Sequence, residues 1–158
     1  MTETITYIDF FSVFGMAMLP IVELKGAIPF GVLSLNMPFW TAFWIAYAGS
    51  CLPVPFIIVF IERILKWMTG SSVKFFNKFS NWLYSKVEKH KGKIQKYGYL
   101  GVFIFVAIPL PGTGVWTGSL ISAVLGLKPS KAIAVVVLGN VIAGLAMLLL
   151  SSAIRGLY

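Results

Sequence analysis

Acidic residues are nearly missing from this chain. There are five, Glu3, Asp9, Glu23, Glu62 and Glu88, and none follows Glu88. Histidine and cysteine occur once each, as His90 and Cys51. A metal centre needs a cluster of His, Cys, Asp or Glu, and an activated nucleophile needs a base within reach. Neither can be assembled from one imidazole, one thiol and a few scattered carboxylates. We expect no enzyme activity, no catalytic residue, no metal ligand and no cofactor. Cys51 has no partner for an internal disulfide and reads as a small apolar residue. His90 lies in the basic run Lys89-His90-Lys91 and reads as solvated.

Charge of either sign is scarce. Charged residues make up 11% of the chain and hydrophobic ones 58%, with a mean hydropathy of +0.88, whereas soluble domains carry about 25% charged residues. The composition predicts an all-α integral membrane protein built as a single membrane domain over residues 1–158. Met1 to Phe10 holds two acids and no basic residue, unlike the positive n-region of a cleaved signal peptide. The first apolar stretch is therefore expected to stay in the mature protein.

The positive charge that exists is concentrated. Residues 62–97 hold nine Lys and Arg against Glu62 and Glu88. No nucleic-acid-binding module accompanies them, so nucleic acid is not an expected partner. The positive-inside rule instead places 62–97 in the cytoplasm and both termini outside, in a multi-pass protein of the inner (cytoplasmic) membrane. Within the basic connector 69–97, Val73, Phe76, Phe79, Leu83 and Val87 recur at three- and four-residue spacing among lysines. That pattern predicts an amphipathic helix on the membrane surface, whose lysines meet anionic lipid headgroups. A plain connector between two membrane halves is the alternative.

Two apolar stretches are too short to cross. Residues 5–19 end at Pro20 and span roughly 22 Å as a helix, against a hydrocarbon core of about 30 Å. Residues 26–37 follow after a polar turn. We expect a re-entrant hairpin over 5–37, with one long span kinked at Pro20 and Pro29 as the alternative. A full span follows over 38–64, kinked near Pro53 and Pro55. Residues 98–108 and 115–127 repeat the short-short pattern around Pro109-Leu-Pro-Gly-Thr-Gly-Val-Trp-Thr-Gly118, giving a second hairpin over 98–127 and a second span over 129–154.

The halves, 1–68 and 98–158, share a ruler. Pro20 to Pro38 is 18 residues and so is Pro111 to Pro129; Pro38 to Gly49 is 11 and Pro129 to Gly139 is 10. A hairpin plus one span, repeated, must insert the second time in the opposite direction. The expected fold is thus an inverted repeat whose broken helices meet near the midplane, as in many secondary transporters.

Between Phe10 and Ile61 the only charged residues are Glu23 and Lys25. A lone charge at membrane depth costs roughly 2.5–3.5 kcal/mol on insertion scales, so it needs a partner or a task. Gly26 and Pro29 beside the pair, and Pro109, Pro111, Gly112, Thr113 and Gly114 in the second break, supply irregular backbone that tolerates such depth only where it lines a cavity or is buried. Three readings stay open. Glu23 binds a proton or a cationic substrate; or Lys25 and the N–H groups opening 113–118 hold an anionic headgroup; or the two charges form a structural ion pair. Thr113 is expected to cap the half-helix starting at Gly114. Trp116 either packs between the hairpins or stacks on substrate. Asn140 needs a buried partner, expected on the opposite hairpin. Gly49, Gly139 and Gly144 are read as points of close helix packing.

The segments Glu-Leu-Lys-Gly-Ala-Ile-Pro (23–29) and Pro-Leu-Pro-Gly-Thr-Gly-Val-Trp-Thr-Gly (109–118) resemble the bacterial family labelled putative small multidrug export proteins. That family looks like a distant relative of the DedA/VTT membrane proteins, and the resemblance implies paired hairpins facing one another. It implies export of a small, amphipathic or cationic compound, proton-linked, or else translocation or scrambling of a lipid or lipid phosphate. DedA-type proteins carry arginines around the second Pro-Gly turn, whereas Phe105 to Gly118 has no basic residue here. A homodimer stays open.

Overall fold

Prolines and glycines decide where the helices stop. The computed structural model describes residues 6–69, 78, 81, 91–110 and 112–156. Among these residues every regular element is helical. Helix α1 (Tyr7–Met18) opens with Asp9 accepting the Thr6 N–H at 3.0 Å. A turn through Leu19 and Pro20 leads to α2 (Glu23–Pro29), which widens into a π-helical turn over Phe30–Ser34 just after Pro29 removes a backbone donor. Helices α3 (Phe39–Cys51) and α4 (Pro53–Thr69) are parted only by Leu52. Helix α5 (Lys91–Ala107) ends before Pro109, α6 (Val115–Val124) follows the break, and α7 (Pro129–Arg155) begins with proline in its first turn.

Among the described residues two stretches are long and apolar enough to cross a membrane: Phe39–Ile61, running through α3 into α4, and Pro129–Arg155. Next to Pro53, where the sequence predicts a kink, the helix assignment is interrupted at Leu52, whose backbone keeps helical dihedrals. The helices flanking the two breaks are short, with apolar lengths Tyr7–Met18, Tyr97–Ala107 and Val115–Val124. One boundary differs from the sequence reading. The helix expected to begin at residue 98 begins at Lys91, because the basic residues before Tyr97 are good helix formers and continue its turns. The amphipathic helix expected over 73–89 lies outside the described residues except at positions 78 and 81.

The core is double. Val13, Ala17, Leu24, Ile28, Phe43 and Ala46 from α1, α2 and α3 form one cluster, joined by Leu148 near the end of α7. Val54 and Ile58 of α4 join Val102, Val106, Val115, Ala132 and Val136 from α5, α6 and the start of α7 in the other. Each long stretch therefore divides itself between the two clusters. The outside is apolar too: Trp40, Trp44, Phe56, Phe60, Leu138 and Leu149 are all exposed. A helix set hydrophobic inside and out is what a lipid solvent requires.

Two glycines set how close the layers come. A Cβ on Gly49 of α3 would lie 2.5 Å from the Phe14 carbonyl oxygen of α1, and one on Gly139 of α7 would lie 2.9 Å from the Phe103 carbonyl oxygen of α5. Gly144 likewise admits Phe43 and Leu24. The expected close-packing role of all three is met. At its far end α7 is tied down by Arg155, which donates to the Met37 carbonyl at 3.1 Å and lies 5.3 Å over the Phe39 ring.

Because the obstructing atoms at 49 and 139 are backbone, they cannot rotate away. Gly49→Ala and Gly139→Ala are expected to destabilise the protein by about 1–3 kcal/mol each, Gly49→Ala by more. Gly15, with open space around its Cβ position, is the control: Gly15→Ala should be neutral or stabilising by helix propensity. Thermal unfolding of the three purified variants checks this ordering.

Candidate functional site

The turn between α1 and α2 faces the break between α5 and α6, and among the described residues Glu23, Lys25 and Trp116 make the polar contacts across this seam. Glu23 is only 5% exposed. Its backbone takes a left-handed φ of 49°, a conformation costing an L-residue about 1–2 kcal/mol. Its carboxylate reaches the first turn of α6, where Oε1 accepts the Trp116 N–H at 3.1 Å. A carboxylate there meets a free backbone donor and the positive end of the helix dipole together.

Lys25 reaches the same break two residues later. Its Nζ donates to the Leu110 carbonyl and to Thr113 Oγ1, both at 3.0 Å, and lies 3.8 Å from Glu23 Oε2. The pair thus makes a loose ion pair and firm hydrogen bonds to the other half of the chain. Trp116 closes the seam from the opposite side by donating its indole N–H to the Met18 carbonyl at 3.1 Å. The end of α1 is thereby fixed to the start of α6.

Gly114 is the tightest point. A Cβ there would collide with the Glu23 carboxylate; only a residue without a side chain lets the acid in. Beside it a cavity of about 310 Å³ is lined by Glu23, Lys25, Thr113 and Thr117 with the apolar groups of Pro20, Ile21, Leu110 and Met147. Its rim is open, since Ile21 is 95% and Leu110 55% exposed. That size suits a small organic molecule.

Of the residues singled out from sequence, Glu23, Lys25, Gly26, Pro109, Gly112 and Thr113 line this cavity, with Gly112 supplying a turn at φ 83°. Gly114 and Trp116 contact Glu23 directly. Pro29 lies within α2, beyond the cavity, and Pro111 falls outside the described residues. Two expectations are corrected. Thr113 does not cap α6: its hydroxyl contacts the Ile108 and Leu110 carbonyls at 2.6 and 2.8 Å, and the cap position belongs to Gly114. The side-chain acceptor at that helix start is Glu23, whose approach along the seam a local reading of 109–118 does not contain. Asn140 finds its partners on α3 rather than on a hairpin, donating to Ser50 Oγ at 2.7 Å and contacting Cys51 Sγ at 3.5 Å. It sits where the two long stretches cross, away from the cavity lining. Pro20, Ile21, Val22, Leu110, Thr117 and Met147 were missed, Met147 because an apolar residue within a long apolar helix carries no local signal.

A collision that exists only because Glu23 is present can be tested by a double-mutant cycle. Gly114→Ala should cost about 1–3 kcal/mol in the wild type and much less in a Glu23→Ala background, a coupling of roughly 0.5–3 kcal/mol. Thermal unfolding of the four proteins measures it, and equal losses in both backgrounds would remove Glu23 from the Gly114 contact.

No curated protein and no solved structure matches the chain. A protein family described as "Putative small multi-drug export protein" matches residues 23–146. The match opens at Glu23, includes Lys25 and the second break with Gly114 and Trp116, and runs through most of α7. The chain belongs to this putative small multi-drug export protein family.

Proposed function

We propose that the protein is a small integral membrane exporter whose substrate and coupling proton share the cavity at the seam, with Glu23 as the exchanging carboxylate. The observation that supports this most is the placement of Glu23. It is the one acid between Phe10 and Ile61, it is buried, and it lines an open cavity while holding the opposite half of the chain by a single hydrogen bond. Oε1 is committed to Trp116, whereas Oε2 has Lys25 no nearer than 3.8 Å. Oε2 is the acceptor left for a proton or for the cationic head of an amphipathic substrate, whose apolar part would lie against Ile21, Leu110 and Met147. Binding either one removes the charge that attracts the other, so the two compete.

The architecture that fits this role is a pair of re-entrant hairpins, α1–α2 and α5–α6, in an inverted repeat. Corresponding features support it. Gly49 abuts the Phe14 carbonyl as Gly139 abuts the Phe103 carbonyl. The next residues, Ser50 and Asn140, bond to one another. Met37 and Leu127, one or two residues ahead of the prolines that open the long stretches, are both buried and both tie their N–H back into the preceding hairpin. Lipid-phosphate translocation is less well supported, because the Trp116 N–H that an anion would use is taken by Glu23.

Transport by purified protein in liposomes, with and without a pH gradient, tests the function. With a cationic amphipathic substrate, Glu23→Gln should remain folded and lose proton-driven transport, since the amide can still accept from Trp116 but cannot exchange a proton. Lys25→Met, assayed with choline as the sole monovalent cation, should shift the pH optimum upward by about 1–3 units, because a carboxyl without its neighbouring cation takes up a proton at higher pH. Wild-type rates for Glu23→Gln at every pH would end the coupling role. Loss of lipid-phosphate transport on Lys25→Met, with Glu23→Gln mild, would favour the lipid reading.

Orientation is tested separately. With single cysteines in a Cys51→Ala background, impermeant labelling of intact cells should reach a position near Thr2 and miss Ser85 and Ser130. The reverse pattern would overturn the cytoplasmic placement of 62–97 and of Lys128.

A further inference from the structure

The ammonium of Lys25 sits in a cradle made only of oxygens. The Leu110 carbonyl and Thr113 Oγ1 lie at 3.0 Å, and Glu23 Oε2 at 3.8 Å. Two of the three belong to the non-helical break between α5 and α6, and unwound carbonyls and hydroxyls of this kind coordinate hard monovalent cations in membrane sites.

None of the three depends on Lys25 for its position. Thr113 Oγ1 accepts the Leu110 N–H at 3.2 Å and donates to a carbonyl of its own break, Ile108 or Leu110. The Thr113 N–H closes the same turn on the Leu110 carbonyl at 3.2 Å. Glu23 is held by the Trp116 N–H on its other oxygen. The cradle is therefore preorganised for a cation by bonds that the lysine does not make. The lysine also lines the cavity of about 310 Å³, so the room left by shortening it would be continuous with that cavity.

We propose that Leu110, Thr113 and Glu23 form an alkali-cation site of the sodium class, which the tethered ammonium of Lys25 fills permanently in place of a free ion. This deepens the reading of the seam as the binding site and rests on it. The wild-type protein then needs no alkali cation, and a cationic substrate or proton arriving at Glu23 competes with an internal cation of fixed local concentration. Shortening Lys25 while keeping the oxygens should convert the protein into a sodium-binding one.

The test is thermal unfolding of purified wild type, Lys25→Ala and Lys25→Ser, titrated with sodium chloride against choline chloride at constant ionic strength. The wild-type midpoint should be the same in both salts. Both variants should rise saturably with sodium, as expected for a ligand that binds only the folded state, and the rise should vanish in Lys25→Ala/Glu23→Gln. Equal midpoints in sodium and choline for the variants would overturn the proposal, as would an equal sodium effect in the wild type. Failure of both variants to fold in sodium buffer would overturn it as well, because a filled cradle restores the lost charge. Liposome export is scored independently: sodium-stabilised variants beside an inactive wild type would reject the transport reading alone, and sodium-indifferent variants beside an active wild type would reject the cation site alone.

Discussion

The structure depends on one constraint, that a buried acid and a half-buried ammonium within an apolar chain must be met by groups from elsewhere. An unpaired buried charge is costly, and even a paired one recovers its desolvation penalty only with good additional hydrogen bonds. Glu23 and Lys25 alone are a poor solution, at 3.8 Å and two residues apart. Their hydrogen bonds come from the second break, through Trp116, Thr113 and Leu110. The break has to be non-helical for this to work. Continuous helix would have spent the Leu110 carbonyl and the Trp116 N–H on its own ladder. The prolines and glycines of 109–118 thus do more than interrupt a helix; they leave backbone groups free where the charges need them.

Bringing the two turns together requires the long helices behind them to pack closely, and this is where the glycines enter. Gly49 and Gly139 let α3 and α7 rest on the backbone of α1 and α5. Asn140 and Ser50 fix the crossing of the two long stretches by a hydrogen bond between two buried side chains. The polar pairs at the crossing and at the seam fix register, since apolar packing alone would tolerate sliding along either stretch. In a lipid solvent, where apolar contacts between helices gain little over contacts with acyl chains, such specific contacts and close backbone approaches set the arrangement.

Much of the helix layout was legible in the sequence, since helix breaks are written in proline and glycine, and lengths follow from rise per residue. The site was legible in part. Glu23 and Lys25 stand out because charge is so rare around them, and the second break stands out by composition. Their direct bonding did not follow from either segment alone. Thr113 in front of a half-helix looked like a cap, yet Gly114 takes that position, because only a residue without a Cβ admits the Glu23 carboxylate. Asn140 was correctly expected to be paired, but the partner lay on α3. An amide in an apolar helix announces a need without giving a direction. The start of α5 was placed seven residues late because the lysines before Tyr97 were assigned to a surface connector, whereas lysine is a good helix former.

The asymmetry between the halves is the remaining feature that the physics explains. Laying Pro20 on Pro111 puts Glu23 on Gly114, Lys25 on Trp116 and Val22 on Thr113. Both charges thus stand in one half, and the other half has, at the same places, an absent side chain, an indole and a hydroxyl. Two identical turns could not meet this way: acid would face acid and ammonium would face ammonium, and like charges at close range in a low-dielectric seam repel strongly. Under the proposed inverted repeat, one half keeps the charges and the other is emptied to receive them. Gly114 leaves room for the carboxylate and Thr113 offers an oxygen to the ammonium. Trp116 returns the contact through its indole N–H to the end of α1. The absence of basic residues from Phe105 to Gly118 is then a requirement of the seam. A second cation there would compete with Lys25 for the same oxygens and leave Glu23 outnumbered.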